Sequence, residues 1–254
     1  MVKKFLKNNL TKKSRHQLRN LIEEVKAIGF GFNLDQLGRI YRTDKIGCHH
    51  YTPHYEQHLK KWKFKRINLL EIGVGGYEDP YEGANSLRMW RKYFPFGKIF
   101  SLDIFDKSPL QENRIKIFQG SQVDSDFLDA VTNEIGSIDI IIDDGSHINE
   151  HVIATFKMLF PKLKDGGIYI IEDMQTSYWK DYGGDSEHLK NPNTMMNFFK
   201  ELTDSLNHKE LILPNYQPNY YDKKIISMHF YHNLLFIYKG NNVEESNVVV
   251  NNQL

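Results

Sequence analysis

Ile138-Asp139-Ile140-Ile141-Ile142-Asp143-Asp144-Gly145-Ser146-His147 is the stretch on which the fold turns. An apolar run closes there on a pair of acids and a histidine, and the neighbouring run Gly167-Ile168-Tyr169-Ile170-Ile171-Glu172-Asp173 closes the same way. Read as parallel strands, the two runs deliver four carboxylates and an imidazole to one sheet edge. Open parallel α/β sheets bind ligands at the carboxyl ends of their strands. So many acids repel one another unless a cation or a positively charged ligand sits among them. The pattern therefore points to a metal-assisted enzyme.

Working outward, strand and helix signals alternate from Asn68 onward. Strands are expected over 69–72, 98–103, 115–118, 138–143 and 168–171, and helices over 86–93, 124–134 and 150–163. That rhythm predicts a doubly wound parallel sheet. Two further strands, 224–231 and 234–239, flank His232-Asn233 and read as a terminal antiparallel hairpin. Upstream, Leu18, Leu21, Ile22, Val25 and Ile28 recur at helical spacing until Gly29-Phe30-Gly31 stops the helix. The expected organisation is a helical extension and cap over 1–60, a main domain over 61–240 and a flexible Asn-rich tail over 241–254. Within the main domain, 174–218 is expected to cover the carboxyl edge as a lid or acceptor wall, with a helix over 194–206.

The chain has 254 residues, 40% of them hydrophobic, enough to bury a full core. Lys plus Arg total 33 against 32 Asp plus Glu, and this balance without a basic stripe argues against nucleic acid as a partner. The Lys-rich start (Lys3, Lys4, Lys7, Lys12, Lys13) reads as a solvated helix face. A single cysteine, Cys48, rules out an internal disulfide and suits a reducing compartment. No long uncharged apolar run and no signal-peptide core are present, so the expectation is a cytoplasmic protein with no membrane partner. A homo-oligomer stays open, since no interface can be read.

The first strand runs into Glu71-Ile72-Gly73-Val74-Gly75-Gly76, a turn whose missing side chains let a ligand approach the backbone. Asp103, ending the second strand, can accept both hydroxyls of a ribose. Together they favour an adenosine-type ligand. A dinucleotide would set its pyrophosphate against the helix N-terminus, but Glu71, Glu78, Asp79 and Glu82 surround this turn. S-adenosylmethionine carries a sulfonium and an ammonium and no phosphate, so it suits the acids better. Glu78, Asp79 and Glu82 can equally be a solvated loop.

These residues carry a resemblance. The span from Glu71 through Asp103, Gly120-Ser121-Gln122, the Asp143-Asp144 strand end and the hairpin resemble class I S-adenosylmethionine-dependent methyltransferases. More narrowly, Thr43-Asp44-Lys45, His50-Tyr51-Thr52-Pro53-His54-Tyr55, Ser86-Leu87-Arg88-Met89-Trp90, Asp143-Asp144-Gly145-Ser146-His147 and Ile171-Glu172-Asp173 are similar to metal-dependent sugar O-methyltransferases of the macrocin and mycinamicin type. The resemblance runs over about 37–184. It implies an α/β, Rossmann-like class I methyltransferase fold, with a mostly parallel seven-stranded sheet, a C-terminal antiparallel hairpin and helices on both faces. It also implies cofactor contacts by Tyr51, Thr52, Glu71, Gly73, Gly75, Ser86, Asp103, Gln122 and Asp143. Metal ligation falls to Asp144, Glu172 and Asp173, with His147 as general base and Asp144 sharing in catalysis.

The chemistry fits these implications. Methylating an alcohol needs an alkoxide-like oxygen, which a divalent cation stabilises and a positioned His helps to form. Three carboxylates without Cys form a hard site suited to Mg²⁺ or Mn²⁺. Plainer readings stand beside each: a loop histidine for His147, an N-cap for Asp144, helix caps for Glu172 and Asp173. His49, His50, His54 and His58 lack a second cluster to complete a metal site and are read as packing or binding-face residues. The expected acceptor is a sugar or nucleotide-linked sugar, of a surface polysaccharide or a glycosylated natural product. Alternatives are a non-sugar acceptor, a nicotinamide-dependent oxidoreductase, and a non-catalytic module that senses the cofactor.

Overall fold

Leu69, Leu70 and Ile72 are buried around Glu71, so the first strand carries its single acid inside an apolar layer. The computed structural model describes residues 10–30 and 33–246. Lys3, Lys4 and Lys7 of the basic start, Gly31 of the helix stop and residues 247–254 of the expected tail lie outside the described residues. The chain divides into two compact units, Met1–Phe127 and Leu128–Leu254.

In chain order the first unit carries helices α1 (Lys12–Ile28), α2 (Leu34–Tyr41) and α3 (Thr52–Leu59), strand β1 (Asn68–Ile72), helix α4 (Asn85–Tyr93) and strands β2 (Lys98–Asp103) and β3 (Ile115–Gln119). Helix α5 (Ser125–Ile135) begins at its end. The three strands pair in parallel, with Glu71 opposite Ser101 and Asp103 opposite Gln119. Thr11 caps α1 by accepting from the Ser14 N–H at 3.1 Å, and Pro53 sits in the first turn of α3, where its missing N–H costs nothing.

The second unit carries β4 (Ile138–Asp143), α6 (Asn149–Leu159), β5 (Leu163–Ile171), α7 (Met195–Glu201), α8 (Thr203–Leu206), α9 (Tyr220–Lys224), β6 (Ile225–Tyr231) and β7 (Leu234–Lys239). Strand β4 pairs in parallel with β5, Asp143 opposite Ile171, and every residue of β4 is buried. Strands β5, β7 and β6 then pair antiparallel, with Asn233 at φ 61° turning the hairpin. Phe156 of α6 anchors the core, its ring meeting Phe160 at 4.9 Å and Tyr169 and Phe199 at 5.1 Å between centroids. Truncating such a ring costs about 3–5 kcal/mol. Across the chain the strand order is β3-β2-β1-β4-β5-β7-β6, a seven-stranded mixed sheet.

Three expectations shift. Strand β5 starts at Leu163, not Ile168, and takes a register shift against β4 to absorb the extra residues. The helix expected over 194–206 breaks at Leu202 into α7 and α8. Helix α1 buries its polar side: Glu23 is 2% exposed, while Leu21, Val25 and Ile28 are 60% exposed or more. The reason is an ion pair, Glu23 lying 3.6 Å from the fully buried Arg88 guanidinium of α4. Among the described residues, no helix is long and apolar enough to cross a membrane.

Candidate active site

Two sets of residues from the sequence meet in the two units, one around the glycine turn and one around the β4 and β5 strand ends. After β1 the chain enters left-handed backbone at Gly73, Gly75 and Gly76 (φ +93°, +75° and +77°). A Cβ on Gly76 would lie 2.1 Å from the Glu82 carbonyl oxygen, so only glycine lets the turn close on itself. A Cβ on Gly75 would meet nothing within 4 Å, which leaves open space against the backbone at that point.

Asp103 ties this turn to the end of β2. One carboxylate oxygen accepts the Val74 N–H and the other the Phe105 N–H, both at 2.9 Å. Each oxygen keeps a lone pair for a hydroxyl donor. Glu71 is fully buried, with the equally buried Lys45 ammonium 3.3 Å from its carboxylate. Tyr51 is buried and stacks on His49 at 4.7 Å, and the buried Thr52 opens α3. Ser86 lies in the first turn of α4, and the buried Gln122 in the turn after β3.

Two of the acids beyond the turn, Asp79 and Glu82, are engaged elsewhere. Asp79 pairs with Lys12 at 2.6 Å and Glu82 with Arg19 at 2.9 Å, both from α1. Lys107, 1% exposed, donates to the Asp79 and Glu82 carbonyls at 2.8 and 3.0 Å, and burial lowers its pKa. These contacts brace the loop and take Asp79 and Glu82 out of the charge argument for a cationic ligand, which is left with Glu78 and with a Glu71 already paired to Lys45.

In the second unit, β4 ends on Asp143 and β5 on Ile171, so Asp144, Glu172 and Asp173 emerge at adjacent strand ends. The Glu172 N–H donates to the Asp143 carbonyl at 3.0 Å, extending the ladder to the acids themselves. Ligand atoms of Asp144, His147 and Asp173 lie within 4.8 Å of one another, and those of Asp144 and Glu172 are equally close. His147 Nε2 stands 3.6 Å from Asp173 and 4.0 Å from Asp144, while its buried Nδ1 has no hydrogen-bond partner. Asp143 is buried and accepts from the Tyr169 hydroxyl at 3.3 Å. Burial, then the Asp143 charge, pushes the Tyr169 phenol well above its ordinary pKa. Among the described residues, none of His49, His50, His54 and His58 joins a group able to hold a metal.

The sequence reading passed over residues that organise the site. Lys45 lay inside a quoted motif, yet its charge gave no hint of full burial. Asn149, 1% exposed, donates to the Thr176 and Tyr182 carbonyls at 3.0 and 2.9 Å and accepts the Met195 N–H at 2.7 Å. It fastens the 174–195 segment to the start of α6. That segment leaves Tyr178 and Trp179 40% and 50% exposed, with Trp179 and Tyr182 rings 5.9 Å apart.

This architecture is the Rossmann-like fold of class I methyltransferases. A solved structure, the MycE methyltransferase from the mycinamycin biosynthetic pathway in complex with Mg and SAH, superposes with a TM-score of 0.83 at 44% identity, over 86% of this chain and 57% of that one. The chain is a homologue of the macrocin and mycinamicin type of sugar O-methyltransferase. It is 46% identical over 214 residues to mycinamicin VI 2''-O-methyltransferase of Micromonospora griseorubida and 45% identical to demethylmacrocin O-methyltransferase of Streptomyces fradiae, each over 84% of this chain and 54% of the relative. A tetracenomycin-C rhamnosyl 3'-O-methyltransferase of Streptomyces olivaceus is 41% identical, over 84% of this chain and 55% of the relative. The chain thus spans about half the length of the curated relatives it matches. No protein-family model matches it.

Proposed function

We propose that the protein is a metal-dependent O-methyltransferase that moves a methyl group from S-adenosylmethionine to a hydroxyl of a sugar. The observation that carries this is the meeting of Asp144, Glu172, Asp173 and His147 at two adjacent strand ends. Carboxylates this close repel one another, and a divalent cation among them relieves it. Their oxygen-rich set fits Mg²⁺ or Mn²⁺. When bound, the ion supports negative charge on a hydroxyl oxygen, and the donor offers a methyl group on a cationic sulfur.

The residues of the chain do the rest. Gly73 and Gly75 admit the donor to the backbone, Asp103 takes its ribose hydroxyls, and Glu71 faces the methionine end. His147 accepts the acceptor's hydroxyl proton at Nε2. The oxygen's electron pair then forms the new O–C bond while the C–S bond breaks and its electrons stay on sulfur. The exposed rings of Tyr178 and Trp179 offer a face on which a sugar can stack.

The acceptor we favour is a sugar already joined to a small molecule, because the relatives named above modify such compounds; none of them speaks for a nucleotide-linked or capsular sugar. Their names also favour methyl transfer over nicotinamide chemistry. A second reading of His147 rests on its 3.6 Å approach to Asp173: it serves as a further ligand in place of a base. The test is binding of S-adenosylmethionine against NAD, followed by turnover with glycosylated acceptors before and after chelation. Activity should vanish with chelator and return with Mg²⁺ or Mn²⁺. Full turnover after exhaustive chelation, or preference for NAD, refutes the proposal.

A further inference from the structure

His147 and Asp173 share an oddity: both are non-glycine residues in left-handed backbone, at φ 57° and 54°. Such conformations persist only where the surroundings over-determine them. The carbonyls of both residues converge on one side chain. The Thr176 hydroxyl lies 2.8 Å from the His147 oxygen and 3.1 Å from the Asp173 oxygen. Thr176 is 2% exposed and sits in the short 3₁₀ turn Met174–Tyr178. A hydroxyl has one hydrogen to donate, so it is shared between two carbonyls whose residues are distant in sequence.

The turn itself is held from both sides. Its backbone N–H donates to the Asp173 carbonyl at 3.2 Å, and its own carbonyl accepts from the Asn149 side chain at 3.0 Å. Gly184 packs against the same carbonyl so closely that a Cβ there would come within 2.3 Å of it. Thr176 is therefore a fixed point with little freedom to follow the loops it touches.

We infer that Thr176 is a positioning residue for the reaction: its hydroxyl couples the His147 loop to the Asp173 loop and so sets the spacing of imidazole and carboxylate. This rests on the functional reading above. It adds that the geometry of the metal and proton-accepting groups depends on a side chain that reaches His147 and Asp173 only through their backbone carbonyls. Partners of this indirect kind change metal affinity or activity by about 10- to 100-fold when removed.

The experiment compares Thr176→Val, which keeps the shape and loses the hydroxyl, with Thr176→Ser, which keeps the hydroxyl. In the full chain, T176V should weaken Mn²⁺ binding and lower kcat by about 10-fold or more, with acceptor KM and S-adenosylhomocysteine affinity changed less than about threefold. T176S should restore both within about threefold. Hydrogen exchange should quicken in T176V at the amides of 146–150 and 173–177 and stay unchanged in β1 to β3. Unchanged Mn²⁺ affinity and kcat in T176V overturn the inference, as does a T176S variant as impaired as T176V. A wild-type chain that binds neither Mn²⁺ nor S-adenosylhomocysteine sinks the functional reading instead. Exchange then decides alone, local quickening upholding the coupling of the two loops and its absence overturning it.

Discussion

Replacing Asn149 with Ala removes three hydrogen bonds at once, and the structure allows the cost to be worked through. The Thr176 carbonyl keeps the Trp179 N–H at 3.1 Å and is not stranded. The Met195 N–H and the Tyr182 carbonyl both lose their Asn149 partner, at 2.7 and 2.9 Å. The buried Met195 N–H left without a partner costs about 1–3 kcal/mol and the half-buried Tyr182 carbonyl, which water can reach, about 1, so N149A should lose about 2–4 kcal/mol. For a chain of this size that lowers Tm by roughly 5–15 °C, measured by thermal unfolding followed by circular dichroism. Asn149→Asp is the sharper probe. It keeps an acceptor for Met195 but sets a carboxylate oxygen against two carbonyls, so it should be at least as damaging as Ala. A loss below about 1 kcal/mol in N149A, or a milder effect in N149D, would show that the amide does not hold the segment as described.

His147→Ala should lower turnover by about 10²- to 10⁴-fold while leaving S-adenosylhomocysteine affinity intact. Mn²⁺ affinity in the same variant separates the two roles: retained affinity marks a base, and a loss of about tenfold or more marks a ligand. His16 supplies a pH test. Burial, then the Arg88 and Arg19 charges, holds its pKa below the ordinary 6.5, against smaller opposing effects of Glu82 and the Tyr81 backbone. As pH falls below 6.5 the unfolded chain binds a proton that the folded chain refuses, so folding loses stability with acid. Wild-type Tm should therefore drop more steeply than that of His16→Gln between about pH 7 and pH 5, and parallel curves would remove His16 from the balance.

The strands were legible because parallel β-strands write themselves as apolar runs, and the acids at their ends stood out against that background. Ile138 to Asp143 is the same strand in both readings. Helix α1 was found by period, yet its periodic apolar residues face outward: Glu23 and Arg88 are distant in sequence, and no local pattern announces a buried ion pair between them. Asp79 and Glu82 looked like a ligand's environment for the same reason, their partners Lys12 and Arg19 lying over sixty positions away. Asn149 and Thr176 carry no signature, since a single buried amide or hydroxyl follows no repeat and is defined only by what the folded backbone brings against it. Short helices α2 and α3 went unread because eight residues hold too few turns for a period to show.

The glycine turn after β1 is stiffened from outside its own neighbourhood. Its outer edge is fastened by Lys107 and by two cations of α1. A truncation that starts the polypeptide at Asn33 would keep every strand and every glycine of the turn, and would still release the turn's outer edge. Minimal versions of this protein made for crystallisation or enzyme engineering should thus retain Lys12 and Arg19.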